Sequence, residues 1–173
     1  MSWESSAVYY KQLNRGVEER VGGLSSAPIV LSSVDFGALT TLQREDRWDE
    51  VAEMLAGGLD ADLLLMCTTS FHRVAEQVAA AVDIPVLHLA DVLADAIKAQ
   101  DLGSVGFLGT AFSMGRTFFT DRLASHGLAV VTPAPQHHET VNRIIYEELV
   151  HGRVLDSSRR TIVELIDQMW DCL

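Results

Sequence analysis

One stretch of the sequence, residues 62–72, constrains the fold more than any other. A short apolar run at 63–66 stops abruptly in four small polar or thiol side chains at 67–70. Apolar residues then recur at helical spacing from about Phe71. An uninterrupted apolar run is typical of a strand buried on both faces, and a helix directly after it indicates a βα unit of a parallel sheet. The sequence therefore predicts an α/β fold.

The end of this predicted strand is also where we expect a binding site. Ligands of parallel α/β sheets bind at the carboxyl ends of the strands. The side chains at that position here are Cys67, Thr68, Thr69 and Ser70. Thr110 ends a later apolar run in the same way, and we include it as a predicted substrate ligand.

Strand and helix patterns alternate along most of the chain. Apolar and β-branched runs predict strands at 27–34, 63–66, 84–87, 105–108 and 128–131. Helical spacing predicts helices up to about Arg20 and at about 48–55, 71–82, 91–100, 115–126, 139–151 and 156–172. This alternation predicts mostly parallel sheets flanked by helices. The pattern at 63–82 recurs loosely at 105–126, so we expect two related α/β halves, 1–90 and 91–173.

Charge and cysteine content limit the partners. The net charge of −11 disfavours nucleic acid and anionic membranes as partners. Two cysteines far apart in the sequence do not indicate a disulfide framework, which favours a reducing cytoplasm. His137 and His138 are adjacent, and adjacent residues on a helix face different directions, so we expect no metal site there.

Six short stretches, in order along nearly the whole chain, resemble the aspartate/glutamate racemase family, in particular its aspartate racemase branch. The motif Cys-Thr-Thr-Ser-Phe-His at 67–72 is the central one. The others are Met-Ser-Trp-Glu-Ser at 1–5, Ser-Val-Asp-Phe at 33–36, Gln-Arg at 43–44, Leu-Gly-Thr-Ala-Phe-Ser-Met at 108–114 and Asn-Arg-Ile-Ile-Tyr-Glu-Glu-Leu at 142–149.

The resemblance implies removal and return of the α-proton of a small acidic amino acid without pyridoxal phosphate or a metal. In the family, two residues, usually cysteines, stand on opposite faces of the α-carbon between two similar domains. One takes the proton and the other delivers one. The α-C–H is a very weak acid, so the developing carbanion needs dense hydrogen bonding in a site closed to water.

Matched position by position, the family's first acid/base cysteine falls on Thr68, with Cys67 one residue earlier. Thr69 and Ser70 match the pair that binds the substrate α-carboxylate. Arg44 matches the arginine that holds the distal carboxylate through two parallel hydrogen bonds. Ser2 matches the end of a turn that lines the site. A threonine hydroxyl is a poor base unless a neighbour activates it, so Cys67 and Thr68 both stay open as the catalytic residue.

Two departures from the family bear on activity. The family begins with a strand and two glycines before Met-Ser, whereas this sequence begins at Met1, so we expect that first strand to be lacking. The family also continues into a strand that carries the second catalytic cysteine. Cys172 follows a helical pattern instead, and we do not assign it that role. The alternative function is therefore a catalytically impaired or dead homologue that only binds a small dicarboxylate or a partner chain.

These departures also predict self-association. A parallel sheet without a central strand leaves backbone groups unpaired and apolar helix faces exposed. We therefore expect a homodimer.

Overall fold

The computed structural model describes residues 2–57 and 60–170, which form an α/β protein of two compact units. The first unit runs to Thr68 and includes Val74–Val86, and the second comprises Thr69–Arg73 and the chain from Leu87 onward. The α/β class expected from the sequence is confirmed. The halves 1–90 and 91–173 stay a prediction. Cys172 lies outside the described residues.

Most described residues are helical. The α-helices are α1 (Trp3–Val21), α2 (Phe36–Arg44), α3 (Trp48–Ala56), α4 (Ala75–Ala81), α5 (Leu89–Lys98), α6 (Ala111–Met114), α7 (Phe118–Ser125), α8 (His138–Glu147) and α9 (Asp156–Trp170). Short 3₁₀ helices span Ser70–Val74, Pro135–His137 and Leu149–His151. Over the ranges 2–57 and 60–170, the apolar stretches of these helices are too short to cross a membrane.

The strands are short and form two two-stranded sheets. They are β1 (Leu64–Leu65), β2 (Val86–Leu87), β3 (Ser104–Gly106) and β4 (Ala129–Val131). β3 and β4 run parallel, with Val105 opposite Val130. The Phe107 amide donates to the Val131 carbonyl at 2.8 Å, which extends this pairing beyond β3.

The predicted strand at 27–34 is wrong. These residues are described, and none of them is in a strand. An apolar run becomes a strand only when a neighbouring strand takes up its backbone hydrogen bonds. Instead, the Ala27 amide donates to the Asn14 side-chain oxygen at 3.1 Å, while Val30 and Leu31 are exposed.

Helix α2 was missed from the sequence although its start carries a clear signal. Asp35 caps it, with its two carboxylate oxygens accepting from the amides of Gly37 and Ala38 at 3.0 and 3.3 Å. An aspartate that caps a helix in this way satisfies donors that the helix itself leaves open. Arg44 is consequently the last residue of a helix and not part of a connecting loop.

The helical spacing of α1 predicts that Val8, Tyr9, Leu13 and Val17 face inward, and for Val8 and Leu13 this prediction is wrong. Its bounds match the prediction, with Ser2 as the N-cap and Gly22, at φ 80°, as the C-cap. Within α1, all of which the structure describes, Ser6 is the one buried residue. Val8 and Leu13, predicted to face inward, are 58% and 43% exposed.

Each unit has its own apolar core. In the first unit, α3 packs against α2 and α4, which buries Leu39, Val51 and Val78 completely. In the second unit, α5 packs against α7. The core between them comprises Ala90, Ala94, Phe119, Leu123 and Leu128. A second cluster in that unit comprises Met114, Val141 and Leu165.

A charged cluster joins α5 to α7 at the edge of that core. Asp91 accepts two hydrogen bonds from Arg122, both at 2.8 Å, and its Oδ1 lies 2.8 Å from His126 Nε2. The hydrogen bonds from Arg122, and to a smaller extent from His126, hold the pKa of Asp91 well below its usual range, against an opposing effect of burial. The charged form of Asp91 therefore stabilises the native state.

We expect Asp91→Asn to lower the free energy of unfolding by about 1 kcal/mol at neutral pH, a modest value because the cluster is partly exposed. A native pKa below the unfolded value of about 3.9 means that this stabilisation is complete above that pH and is lost as the pH falls below it. Urea unfolding at pH 7 and at about pH 3 measures the difference. Asp95→Asn, at an exposed position one turn later in the same helix, is the control with an equal change of net charge. Equal stability of the two variants at pH 7 would contradict this account.

Candidate active site

The backbone at the end of β1 is held by two hydrogen bonds within the first unit. The Thr68 amide donates to the Met66 carbonyl at 2.8 Å. The Ser5 hydroxyl, from the first turns of α1, donates to the Cys67 carbonyl at 3.2 Å. Helix α1 therefore fixes the segment that carries both candidate catalytic residues.

The Cys67 thiol is half-buried and turned back toward its own strand. Its Sγ lies 4.0 Å from the Leu65 carbonyl oxygen, at the limit of a weak S–H···O hydrogen bond. Burial raises the pKa of the Cys67 thiol. Burial also raises the pKa of Tyr9, and the nearby Cys67 thiolate would raise it further. The surroundings of Cys67 and Tyr9 therefore favour the uncharged forms of both groups.

Three hydroxyl groups of the second unit form a closed ring. Ser70 Oγ lies 3.1 Å from Thr110 Oγ1 and 2.9 Å from Ser113 Oγ, and these last two oxygens are 3.1 Å apart. Ser113 is completely buried and Ser70 is 8% exposed. Two predicted substrate ligands, Ser70 and Thr110, are therefore brought into direct contact, together with a serine that the sequence did not single out.

All three hydroxyl protons of Ser70, Thr110 and Ser113 are used in hydrogen bonds within the ring. Three hydroxyl groups carry three protons, and a ring with three O···O contacts uses one proton in each. Thr110 Oγ1 accepts a further hydrogen bond from the Ser113 amide at 3.2 Å as the cap of α6. For Ser70 or Thr110 to donate to a carboxylate, one bond of the ring has to open.

Asn142 supports the same segment from α8. Its side-chain oxygen accepts from the Ala111 amide at 3.0 Å. The first amide of α6 is thereby satisfied by Asn142, while Thr110 satisfies the Ser113 amide. The sequence signal for both contacts was present in the stretches 108–114 and 142–149, but only the fold brings them together.

Two histidines hold the start of α5 in the second unit. His72, which is 3% exposed, accepts from the Leu89 amide through Nε2 at 3.1 Å. His88 caps the helix by accepting from the Ala90 amide through Nδ1 at 3.2 Å. Their rings meet edge to face with centroids 4.6 Å apart. These contacts give both histidines a structural role at the start of α5.

The other predicted ligands, Ser2, Arg44 and Thr69, are each described by their own local contacts. Ser2 Oγ accepts from the Ser5 amide at 3.4 Å as the cap of α1. Arg44 is exposed at the end of α2. Thr69 accepts from the His72 amide through its carbonyl at 3.1 Å, which begins the 3₁₀ helix. Roles for Ser2, Arg44 and Thr69 in substrate binding stay predictions, as do those of Cys67, Thr68, Ser70 and Thr110.

We expect alkylation of Cys67 by iodoacetamide to be slow at pH 7 and to rise at a higher pH than alkylation of a free thiol, whose pKa is about 8.5, because burial raises the pKa of the native thiol. Labelling of a Cys172→Ser variant, followed by mass spectrometry across a pH series, reports Cys67 alone. The same variant unfolded in urea is the control and should follow the ordinary thiol. Faster labelling of the native protein than of the unfolded control at pH 7 would show that the thiol is activated.

Comparisons with known proteins agree with the fold and with these motifs. The chain matches the Asp/Glu/hydantoin racemase family over residues 1–172. It is 38% identical to a candidate Asp/Glu racemase from Yersinia pestis of known structure, with a TM-score of 0.88, covering 98% of this chain and 77% of that one. It is 26% identical to an aspartate racemase homologue from Pyrococcus horikoshii OT3, with a TM-score of 0.73, covering 94% of this chain and 74% of that one. The protein belongs to the Asp/Glu/hydantoin racemase family.

Proposed function

We propose that the protein is a racemase that needs no cofactor and acts on aspartate or glutamate. The proposal rests on the match to the racemase family over residues 1–172. The polar segment 67–70 at the end of β1 supports it. The aspartate racemase homologue among the solved structures supports the substrate class.

In this proposal, Thr68 stands at the proton-transfer position, with Cys67 as the neighbouring candidate. Thr69 and Ser70 bind the α-carboxylate, and Arg44 binds the distal carboxylate with its planar guanidinium. Ser2 and Thr110 line the site. The hydroxyl ring supports a binding role for Ser70 and Thr110. A buried hydroxyl that breaks one hydrogen bond of the ring can form a stronger one with the charged carboxylate of a substrate.

Each candidate base has a chemical disadvantage at neutral pH. A threonine hydroxyl is intrinsically a poor base, and burial raises the pKa of the Cys67 thiol, which lowers the fraction present as thiolate. A reducing compartment would keep this thiol free, and we propose the cytoplasm as the location. We expect turnover below about 1 s⁻¹, under the median of about 10 s⁻¹ for enzymes.

Incubation with L- and D-aspartate, and then with L- and D-glutamate, in D₂O tests the function, with the α-proton followed by NMR. Exchange with inversion is the expected result, and Thr68→Ala should lower the exchange rate at least about 100-fold, the usual contribution of a positioned proton-transfer group. Arg44→Ala should instead raise KM, because it removes a contact made alike in the ground and transition states.

Arg159, an exposed arginine of α9, provides the matched control for Arg44→Ala. Arg159→Ala should leave both the exchange rate and KM unchanged. Exchange of one enantiomer without inversion would indicate a half-active site with a single working base. Absence of exchange from a folded wild-type sample would exclude the racemase, and calorimetric titration with aspartate would then test a binding function.

We also propose that the protein is a homodimer, on the strength of the exposed apolar face of α1. Trp3, Tyr10 and Val21 are 67%, 51% and 69% exposed. Their spacing of seven and eleven residues places them on one side of a helix with 3.6 residues per turn. Exposed apolar side chains in such a stripe favour association because burial removes them from water.

Light scattering should therefore give about twice the 19.0 kDa mass of the chain at micromolar concentration. Tyr10→Glu should shift the equilibrium toward the monomer by placing a charge in the stripe. Lys11 lies on the same helix turn but outside the stripe. Lys11→Glu changes the net charge of the chain more than Tyr10→Glu does, and it should nevertheless leave the dimer intact. A wild-type sample with a single species at 19.0 kDa would contradict the proposal.

A further inference from the structure

We propose that Ser5 is a positioning residue that fixes the peptide unit between Cys67 and Thr68 and thereby sets which of the two side chains is presented for chemistry. The inference rests on the proposed function for its catalytic consequence. Its structural part concerns only contacts within the first unit.

The two polar ends of this peptide unit are both held. Its carbonyl, on Cys67, accepts from the Ser5 hydroxyl at 3.2 Å. Its amide, on Thr68, donates to the Met66 carbonyl at 2.8 Å. A peptide unit is planar, and its carbonyl and amide point in opposite directions. Hydrogen bonds at both ends therefore prevent the plane from rotating about the line between the two Cα atoms.

Rotation of this plane would redirect the neighbouring side chains. The hydrogen bond from the Thr68 amide to the Met66 carbonyl closes a three-residue turn centred on Cys67, and this turn sets the directions of the side chains beside the plane. In the observed orientation, the Cys67 thiol is turned back toward the Leu65 carbonyl, 4.0 Å away, and is half-buried. A change in the torsion angles on either side of the plane would redirect both the thiol and the Thr68 hydroxyl. Ser5 thus favours the arrangement in which Cys67 is turned inward.

Ser5 is itself well anchored. Its amide donates to the carbonyl of Ser2 at 3.1 Å and to the Ser2 hydroxyl at 3.4 Å, which closes the first turn of α1. Tyr9 is one helical turn further along the same face, close enough to Cys67 that the ionised thiol would raise its pKa. Ser5 and Tyr9 therefore lie on the face of α1 that is near Cys67.

The test compares Ser5→Ala with Ser5→Thr and with Asn14→Ala. Ser5→Ala removes the donor, whereas Ser5→Thr keeps a hydroxyl at the same position. Asn14→Ala is the matched control, because it removes a hydrogen bond between α1 and the Ala27 amide without touching Cys67. All three variants are made in the full chain, and their midpoints of thermal unfolding are measured first.

The first readout is hydrogen exchange of the Thr68 amide by NMR, which needs no catalytic activity. Ser5→Ala should accelerate this exchange about fivefold or more relative to Asn14→Ala, as expected for the loss of one hydrogen bond that holds the peptide. Ser5→Thr should restore the wild-type rate. Equal Thr68 exchange in Ser5→Ala and Asn14→Ala would overturn the proposal.

The second readout is the rate of α-deuteration of the amino acid substrate. Ser5→Ala should lower kcat about tenfold with KM changed less than about twofold, because misorientation of a proton-transfer group affects the transition state and not substrate binding. Ser5→Thr should recover most of kcat. An unchanged kcat in Ser5→Ala beside an active wild type would refute the catalytic part. A wild type without any deuteration would instead refute the proposed racemase function. Hydrogen exchange of the Thr68 amide would still test the positioning role of Ser5.

Discussion

The second unit depends on a buried ring of three hydroxyl groups, which holds together the segments that carry them. The ring is formed by Ser70, Thr110 and Ser113. A buried hydroxyl without a partner is destabilising by about 1–3 kcal/mol, so three hydroxyls brought together beneath the surface must satisfy one another. The ring joins the segment that begins at Thr69 to the segment that follows β3. Asn142 then fixes the start of α6, so the position of Thr110 is determined from two sides.

In the first unit, the corresponding constraint acts on the backbone and not on side chains. The peptide between Cys67 and Thr68 is held by Ser5 and Met66, and the thiol is turned toward Leu65. Burial raises the pKa of this thiol, so less of it is present as thiolate at neutral pH than for an exposed cysteine. The presence of a cysteine beside the family's catalytic position therefore does not by itself supply a reactive thiolate, because reactivity depends on what surrounds the sulfur.

Much of the fold was predictable because its signals are local. The capping of α1 by Ser2 and its end at Gly22 follow from residue types next to one another in the chain. The Asp35 cap of α2 was equally local but was hidden by the apolar run before it, which was interpreted as a strand. That interpretation failed because a strand depends on a partner elsewhere in the chain, and residues 27–34 are not in a strand. The inward face of α1 failed for a related reason, since periodicity identifies an apolar stripe but not what covers it.

The sequence by itself determined the α/β class, the parallel direction expected of the strands, and the polar residues at the ends of β1 and β3, because side-chain size, polarity and spacing act over a few residues. Its resemblance to a racemase family also identified the residues to examine. Only the tertiary structure decided that Ser113 completes a ring with Ser70 and Thr110 and that Ser5 holds the Cys67 carbonyl. These contacts join residues 43 and 62 positions apart. Contacts of that kind arise only when separate elements pack, and buried polar atoms then have to pair with whichever partner the packing brings within reach.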